Sequence, residues 1–275
     1  MLDLLDYDFM RRALLAAVFT GLAAPAIGVF LVHRRLALLG DGLGHVALTG
    51  VALGLLTGIA PLVTAVVVAA LGALLIEFLR ANSRTSGDVA LAMLFYGGIA
   101  GGVLLTNLAD ESAASLNAYL FGSITTVSRG DLILVGVLGV VIVALCLGLS
   151  PQLFAVCQDE EHARVSGLPV WLLSALISVL AAVTITVAMR TVGLLLVSAL
   201  MVVPVAASQQ ITRSFRSTHL VAMVIGLAAA LGGVVTSYQV ETSPGPTIVM
   251  LAIAAFAVLA VIGASRRRFR PTSPK

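Results

Sequence analysis

Nine stretches of 15 to 20 residues in this chain contain no Asp, Glu, Lys or Arg: Ala13 to Val32, Leu43 to Thr57, Leu62 to Ile76, Val89 to Thr106, Leu132 to Leu149, Val170 to Met189, Gly193 to Gln209, Leu220 to Gln239 and Thr247 to Ser265. A helix of about 20 apolar residues crosses a hydrocarbon layer ~30 Å thick while satisfying its own backbone hydrogen bonds. Recurrence over the whole length leaves no room for a soluble domain of useful size. Charged residues make up 11% of the chain, against about 25% in soluble domains. The expected fold is all-α, a single polytopic transmembrane bundle over 1–275. Nine spans are expected, and eight or ten also fit because several stretches are short. The N-terminus, MLDLLDYDFM, is acidic where a cleavable signal needs positive charge, so none is expected.

Nine spans sort the basic residues onto two sides. Of the 16 Lys and Arg, only Arg11, Arg12, Arg129 and Arg190 fall on one side. Arg34, Arg35, Arg80, Arg84, Arg164, Arg213, Arg216, Arg266, Arg267, Arg268, Arg270 and Lys275 fall on the other. Positive loops stay in the cytoplasm, which puts the C-terminus inside and the N-terminus outside. Arg11 and Arg12 fit this bias worst. The basic excess reports topology and implies no nucleic-acid partner; membrane lipid is the expected surrounding.

The stretch HRRLALLGDGLGHVALTGVALG, from His33 to Gly54, carries the chemistry. Asp41 and His45 enter at the start of the second span, four residues apart, so on a helix they share a face one turn apart. Ionisable residues in an apolar span are costly and mark function by default. A carboxylate oxygen and an imidazole nitrogen suit a divalent transition metal. The plain alternative is that Asp41 caps the second helix and His45 donates to a backbone carbonyl. From the residues alone both readings stand. Glycines at four-residue spacing (Gly40 and Gly44, Gly50 and Gly54, Gly98 and Gly102) point to close helix packing, and Pro204 to a kink in the seventh span.

A second informative stretch is FAVCQDEEHARVSGLP, Phe154 to Pro169. Asp159, Glu160 and Glu161, followed by Ala163, Arg164, Gly167 and Leu168, read as a short amphipathic helix ended by glycine. It is either a solvated loop or a docking element for a cytoplasmic partner. His162, and His33 and His219 in their loops, read as surface histidines. Cys146 and Cys157 read as free thiols.

Lys275 is the one lysine, so the phosphate-binding GxxxxGK[ST] loop is excluded, and HExxH, GxSxG and CxxC are missing too. The chain is not expected to be an enzyme; if ATP drives it, the hydrolysing subunit is a separate polypeptide.

These residues resemble the membrane permeases of ABC importers for zinc, manganese and iron, which carry a pattern like RRxxLxGDxxSHxxLPGxxxG. Matching positions are Arg34, Arg35, Leu39, Gly40, Asp41, His45, Gly50 and Gly54. Further matches are Asp88, Tyr119 to Gly122, the loop of Glu161, Ala163, Gly167, Leu168 and Pro169, and GLLLVSALMVVPVAAS from Gly193 to Ser208. The loop ending in Gly-Leu-Pro is also similar to the vitamin B12-type permeases, which by analogy implies a type II importer architecture. Two positions depart from the pattern: Gly44 stands for its serine and Thr49 for its proline. The resemblance implies a permease of a bacterial inner (cytoplasmic) membrane importing zinc or manganese, or iron. It implies a homodimer with a separate cytoplasmic ATPase, an extracytoplasmic metal-binding protein and no permanently bound cofactor. Metal passage falls to Asp41 and His45, and coupling to Glu160, Glu161, Ala163, Gly167 and Leu168. The competing reading is an ion-coupled secondary transporter. It needs buried carboxylates, and with Glu77 and Asp88 near span ends only Asp41 qualifies.

Overall fold

A computed structural model describes residues 7–82, 87–108, 120–122, 128–189 and 192–268. Among the described residues all regular structure is helical. Nine apolar helices run α1 (Asp8–His33), α2 (Leu39–Thr57), α3 (Pro61–Asn82), α4 (Gly87–Leu108), α5 (Arg129–Gly148), α8 (Val170–Ala188), α9 (Leu194–Gln209), α10 (Phe215–Val240) and α11 (Pro244–Arg268). Two short helices, α6 (Ser150–Gln158) and α7 (Glu160–Val165), lie between α5 and α8. Eight of the nine are long and apolar enough to cross a membrane; α9 is apolar but shorter. The expected spans are therefore all helices, and Pro204 lies inside α9 as expected.

Of the eight long helices, α1, α2 and α8 are the most enclosed. α1 packs against α5, α8, α9 and α10, while α2 packs against α3, α4, α8 and α9. α4, α5 and α11 line the outside and expose Met93, Ile133 and Val261 among other apolar side chains, as a bundle solvated by lipid does.

The basic residues sort as the bias requires. At one end, His33 stacks edge-on against Phe154 and Phe215, Arg34 pairs with Glu160, and Arg80 and Arg164 share a cleft. The last turns of α11 join them, where Gly263 lies against the Gln210 backbone. At the other end Phe121 and Gly122 meet Gly193 and Gly245, Phe9 meets Tyr238, and Arg11, Arg12 and Arg129 line one cleft. Arg84, Tyr119, Arg190, Arg270 and Lys275 lie outside the described residues, as does the side chain of Asp88.

Two expectations are corrected. Glu77 lies near the end of α3, as expected, but Asp41 is not the one carboxylate taken out of water. The Glu77 carboxylate is buried and accepts from Ser178 Oγ at 3.1 Å and Arg80 Nη1 at 3.4 Å; those partners make a buried charge tolerable. His219 is not a loop histidine. A capping box between Ser214 and Ser217 starts α10 at Phe215, which turns His219 inward, edge-on to Phe30 and Phe215. His33 is also partly buried, with Nδ1 2.7 Å from the Val29 carbonyl.

Cys157, in α6, is largely shielded. Burial first, then Glu160, push its thiol up to about 12 against the opposing pull of Arg34. The thiolate is the reactive species, so maleimide at neutral pH is expected to leave Cys157 unlabelled in the folded protein. Both cysteines should label after denaturation in dodecyl sulfate. Rapid labelling of the folded protein, traced to Cys157 by mass spectrometry, would contradict this packing.

Candidate metal path and coupling loop

α1 ends in a paired-bond stop. The Arg35 amide donates to Val32 O at 3.1 Å and the Leu36 amide to Leu31 O at 2.8 Å, with Arg35 in the left-handed region at φ 59°. This is the usual six-to-one helix ending, but with arginine where glycine is preferred. The chain reaches Leu39 only three residues later, yet α2 does not pack back on α1. Instead Gly40 lies against Ser198 and Gly44 against Leu194 and Ile185. The motif helix thus begins beside the first turns of α9 and the last turns of α8, inside the bundle and away from the arginine-rich end.

Asp41 is in the first turn of α2, but the N-cap is Leu38 and no side chain caps this helix. The capping alternative for Asp41 is therefore not what the structure shows. Its half-buried carboxylate lines an open cleft of about 410 Å³ with Leu38, Leu91, Ala92, Phe95 and Tyr96. His45, one turn on, is also half-buried and feels the Asp41 charge through space. Its ring meets Phe95 edge-on, centroids 4.7 Å apart. Neither side chain makes an ion pair or side-chain hydrogen bond among the described residues. Also among the described residues, no three His, Cys, Asp or Glu side chains gather as a metal site. The chain offers a carboxylate on the cleft and an imidazole one turn away, two of the four donors of a tetrahedral set.

α4 holds this pair in place. A Cβ at Gly98 would fall 2.7 Å from the Val46 amide and 2.8 Å from the His45 carbonyl carbon, so the two backbones meet beside His45. Thr49 Oγ1 donates to Gly98 O at 2.8 Å and also approaches His45 O at 3.3 Å. This explains the departure from proline. A proline has no amide for His45 O four residues back, whereas Thr49 keeps α2 continuous to Thr57 and adds a bond to α4. Sequence reasoning missed Phe95, Tyr96 and this clamp; the Gly98–Gly102 pair was the available signal.

The coupling stretch folds as α7. Asp159 caps it, its carboxylate accepting from the His162 amide at 2.9 Å. Gly167 stops it at φ 80°, with the Gly167 amide donating to Arg164 O and the Leu168 amide to Ala163 O, both at 3.0 Å. Ala163 is buried and Leu168 partly so, both in the main core. Glu161 and Gly167 face outward. Glu160 turns back onto Arg34. Val165, unremarkable in sequence, is 88% exposed, a large apolar side chain on the outward surface of a polar helix.

Comparison with known proteins places this geometry among transport proteins. The model of a family described as the ABC 3 transport family matches residues 6–263. A probable iron transport system membrane protein of Haemophilus influenzae is 33% identical, over 94% of this chain and 95% of its own. The manganese transport system membrane protein MntC of Halalkalibacterium halodurans is 30% identical, over 93% and 88%. The high-affinity zinc uptake system membrane protein ZnuB of Haemophilus influenzae is 28% identical, over 89% and 94%. Among solved structures, PsaBC from Streptococcus pneumoniae in complex with Fab superposes with a TM-score of 0.83 at 29% identity, over 96% of this chain and 95% of that one.

Proposed function

Because this chain belongs to the ABC 3 transport family, the membrane permeases of metal ABC transporters, we propose that it forms the translocation path of an importer for zinc, manganese or iron, as a homodimer. The observation that carries this reading is Asp41 on an open cleft with His45 half-buried one turn along the same helix. Two copies about a two-fold axis supply two carboxylates and two imidazoles, a complete four-ligand set. A path must bind its ion loosely enough to release it, which suits ligands split between subunits. No catalysis is assigned to this chain. ATP hydrolysis belongs to a separate cytoplasmic subunit, and delivery of the metal to an extracytoplasmic binding protein, at a bacterial inner membrane. Donors of this type accept all three metals, and relatives of similar identity are named for each.

α7 is the docking element for the ATPase, with Val165 as its apolar anchor and Glu161 beside it. Ala163 and Leu168 fix the helix to the bundle, and Gly167 ends it. The permease reconstituted with its ATPase and binding protein should take up metal only when ATP is supplied. Val165→Asp, which leaves the core untouched, should weaken ATPase co-purification ~tenfold or more, as for an interface anchor. Uptake driven by a proton gradient without ATP would instead support an ion-coupled carrier, and normal co-purification of Val165→Asp would remove α7 from the interface.

A further inference from the structure

We infer that the Arg34–Glu160 pair is a mechanical tie between α7 and the connector that leads into the metal-motif helix. The two stretches are more than a hundred residues apart in sequence, and this ion pair joins α7 to the end of α1, from which a short connector runs into α2. The Arg34 side chain is 4% exposed and Glu160 48%, so the guanidinium is the enclosed partner. Its Nη1 is buried with no hydrogen-bond partner, which leaves Glu160 as the ion-pair partner of a cation taken out of water. Removing Glu160 would leave the enclosed guanidinium without its ion-pair partner, which is unfavourable, so the contact resists separation on the Arg34 side.

The backbone around the pair is stiff on both sides. On one side, Glu160 is the first residue of a six-residue helix whose ends are both fixed, by the Asp159 cap and the Gly167 stop. Such a helix moves as one body. On the other side, Arg34 caps α1 and is followed by Arg35, held left-handed. That conformation is costly for a residue with a Cβ and persists only where its surroundings impose it. Leu36 is buried next to it, and α2 begins at Leu39. Displacing α7 therefore pulls on Arg34, and the short connector passes the displacement to α2 and so to Asp41 and His45. A second polar tie, Glu77 to Ser178, joins α3 to α8 but does not touch α7. Arg34–Glu160 is thus the polar link, among the described residues, from the docking helix to the connector that leads into the motif.

The inference rests on α7 being the docking element, and the test separates the two. With the full transporter in lipid vesicles, three quantities are read for Arg34→Gln and for Glu160→Gln: ATPase co-purification, ATP hydrolysis, and metal taken up per ATP. A tie predicts normal association and hydrolysis with metal per ATP reduced about three- to thirtyfold, the range for coupling residues. Unchanged metal per ATP in both variants would overturn the tie. Lost association would overturn it too, because the pair would then only shape the docking surface; Val165→Asp tests that surface by itself. Where Arg34→Gln fails to insert, Glu160→Gln on the exposed half carries the test. A third protein holds Arg34→Cys and Glu160→Cys with both native cysteines replaced by alanine. Joining its thiols with a reducible bis-thiosulfonate should restore metal uptake per ATP, and reduction should abolish the gain. Cross-linking that leaves uptake low would show that the pair must separate during transport, contradicting a permanent tie.

Discussion

Asp41→Ala is expected to lower metal uptake by the reconstituted transporter by at least ~10–100-fold, the loss seen when even a residue behind a metal ligand is removed. Among the described residues the carboxylate is the only anion placed on the open cleft, and a divalent ion leaving water needs compensating negative charge more than it needs a neutral donor. His45→Asn should therefore cost less. It should also change the pH profile. An imidazole binds metal only when neutral, so wild-type uptake should fall on acidification as His45 takes up a proton. In His45→Asn that acid limb should flatten, while in Asp41→Ala it should persist on the lower rate. Both variants should insert normally, because neither side chain has an ion-pair partner to leave stranded among the described residues. Equal losses with identical pH profiles would show that the pair supports the helix and does not meet the ion.

The second large effect is expected at Gly98. Valine there would drive a side chain into the His45 and Val46 backbone, which cannot move aside as a flexible side chain can. Overpacking of this kind costs roughly 1–3 kcal/mol. It should also break the Thr49 to Gly98 bond by spreading α4 from α2. Gly98→Val is expected to melt several degrees lower in detergent and to lose most uptake, because the wall of the Asp41 cleft formed by Leu91, Phe95 and Tyr96 moves with α4. Gly97→Val is the matched control: a Cβ at Gly97 meets nothing within 4 Å. If the two variants melted and transported alike, the close approach beside His45 would have no functional weight.

The membrane bundle was legible because lipid imposes a coarse rule. Each span must be apolar and self-bonded, and arginines in the connectors record which side each end faces. The shortness of α9 was legible as well, since the uncharged stretch from Gly193 to Gln209 differs from the helix Leu194–Gln209 by one residue. Asp41 and His45 stood out as the costly residues of an apolar helix, and Gly167 as the end of α7. The burial of Glu77 was not legible because it depends on Ser178, about a hundred residues away. His219 was misplaced because a serine capping box extends α10 further toward its N-terminus than hydropathy alone indicates. The Arg34–Glu160 pair and the exposed Val165 depend on how α6 and α7 fold back on the bundle. No local pattern in an arginine or a valine encodes that.

The central claim is that the transported ion passes the Asp41–His45 pair. Its most direct test is ATP-driven uptake of manganese, zinc and iron, each offered singly, by vesicles holding the Asp41→Ala, His45→Ala double variant with its ATPase and binding protein. The expected result is loss of uptake of the metal that the wild type carries, with the complex intact and ATP hydrolysis still measurable. Uptake at the wild-type rate would mean that the ion takes another route through the bundle and that Asp41 and His45 serve only the packing of α2 against α4.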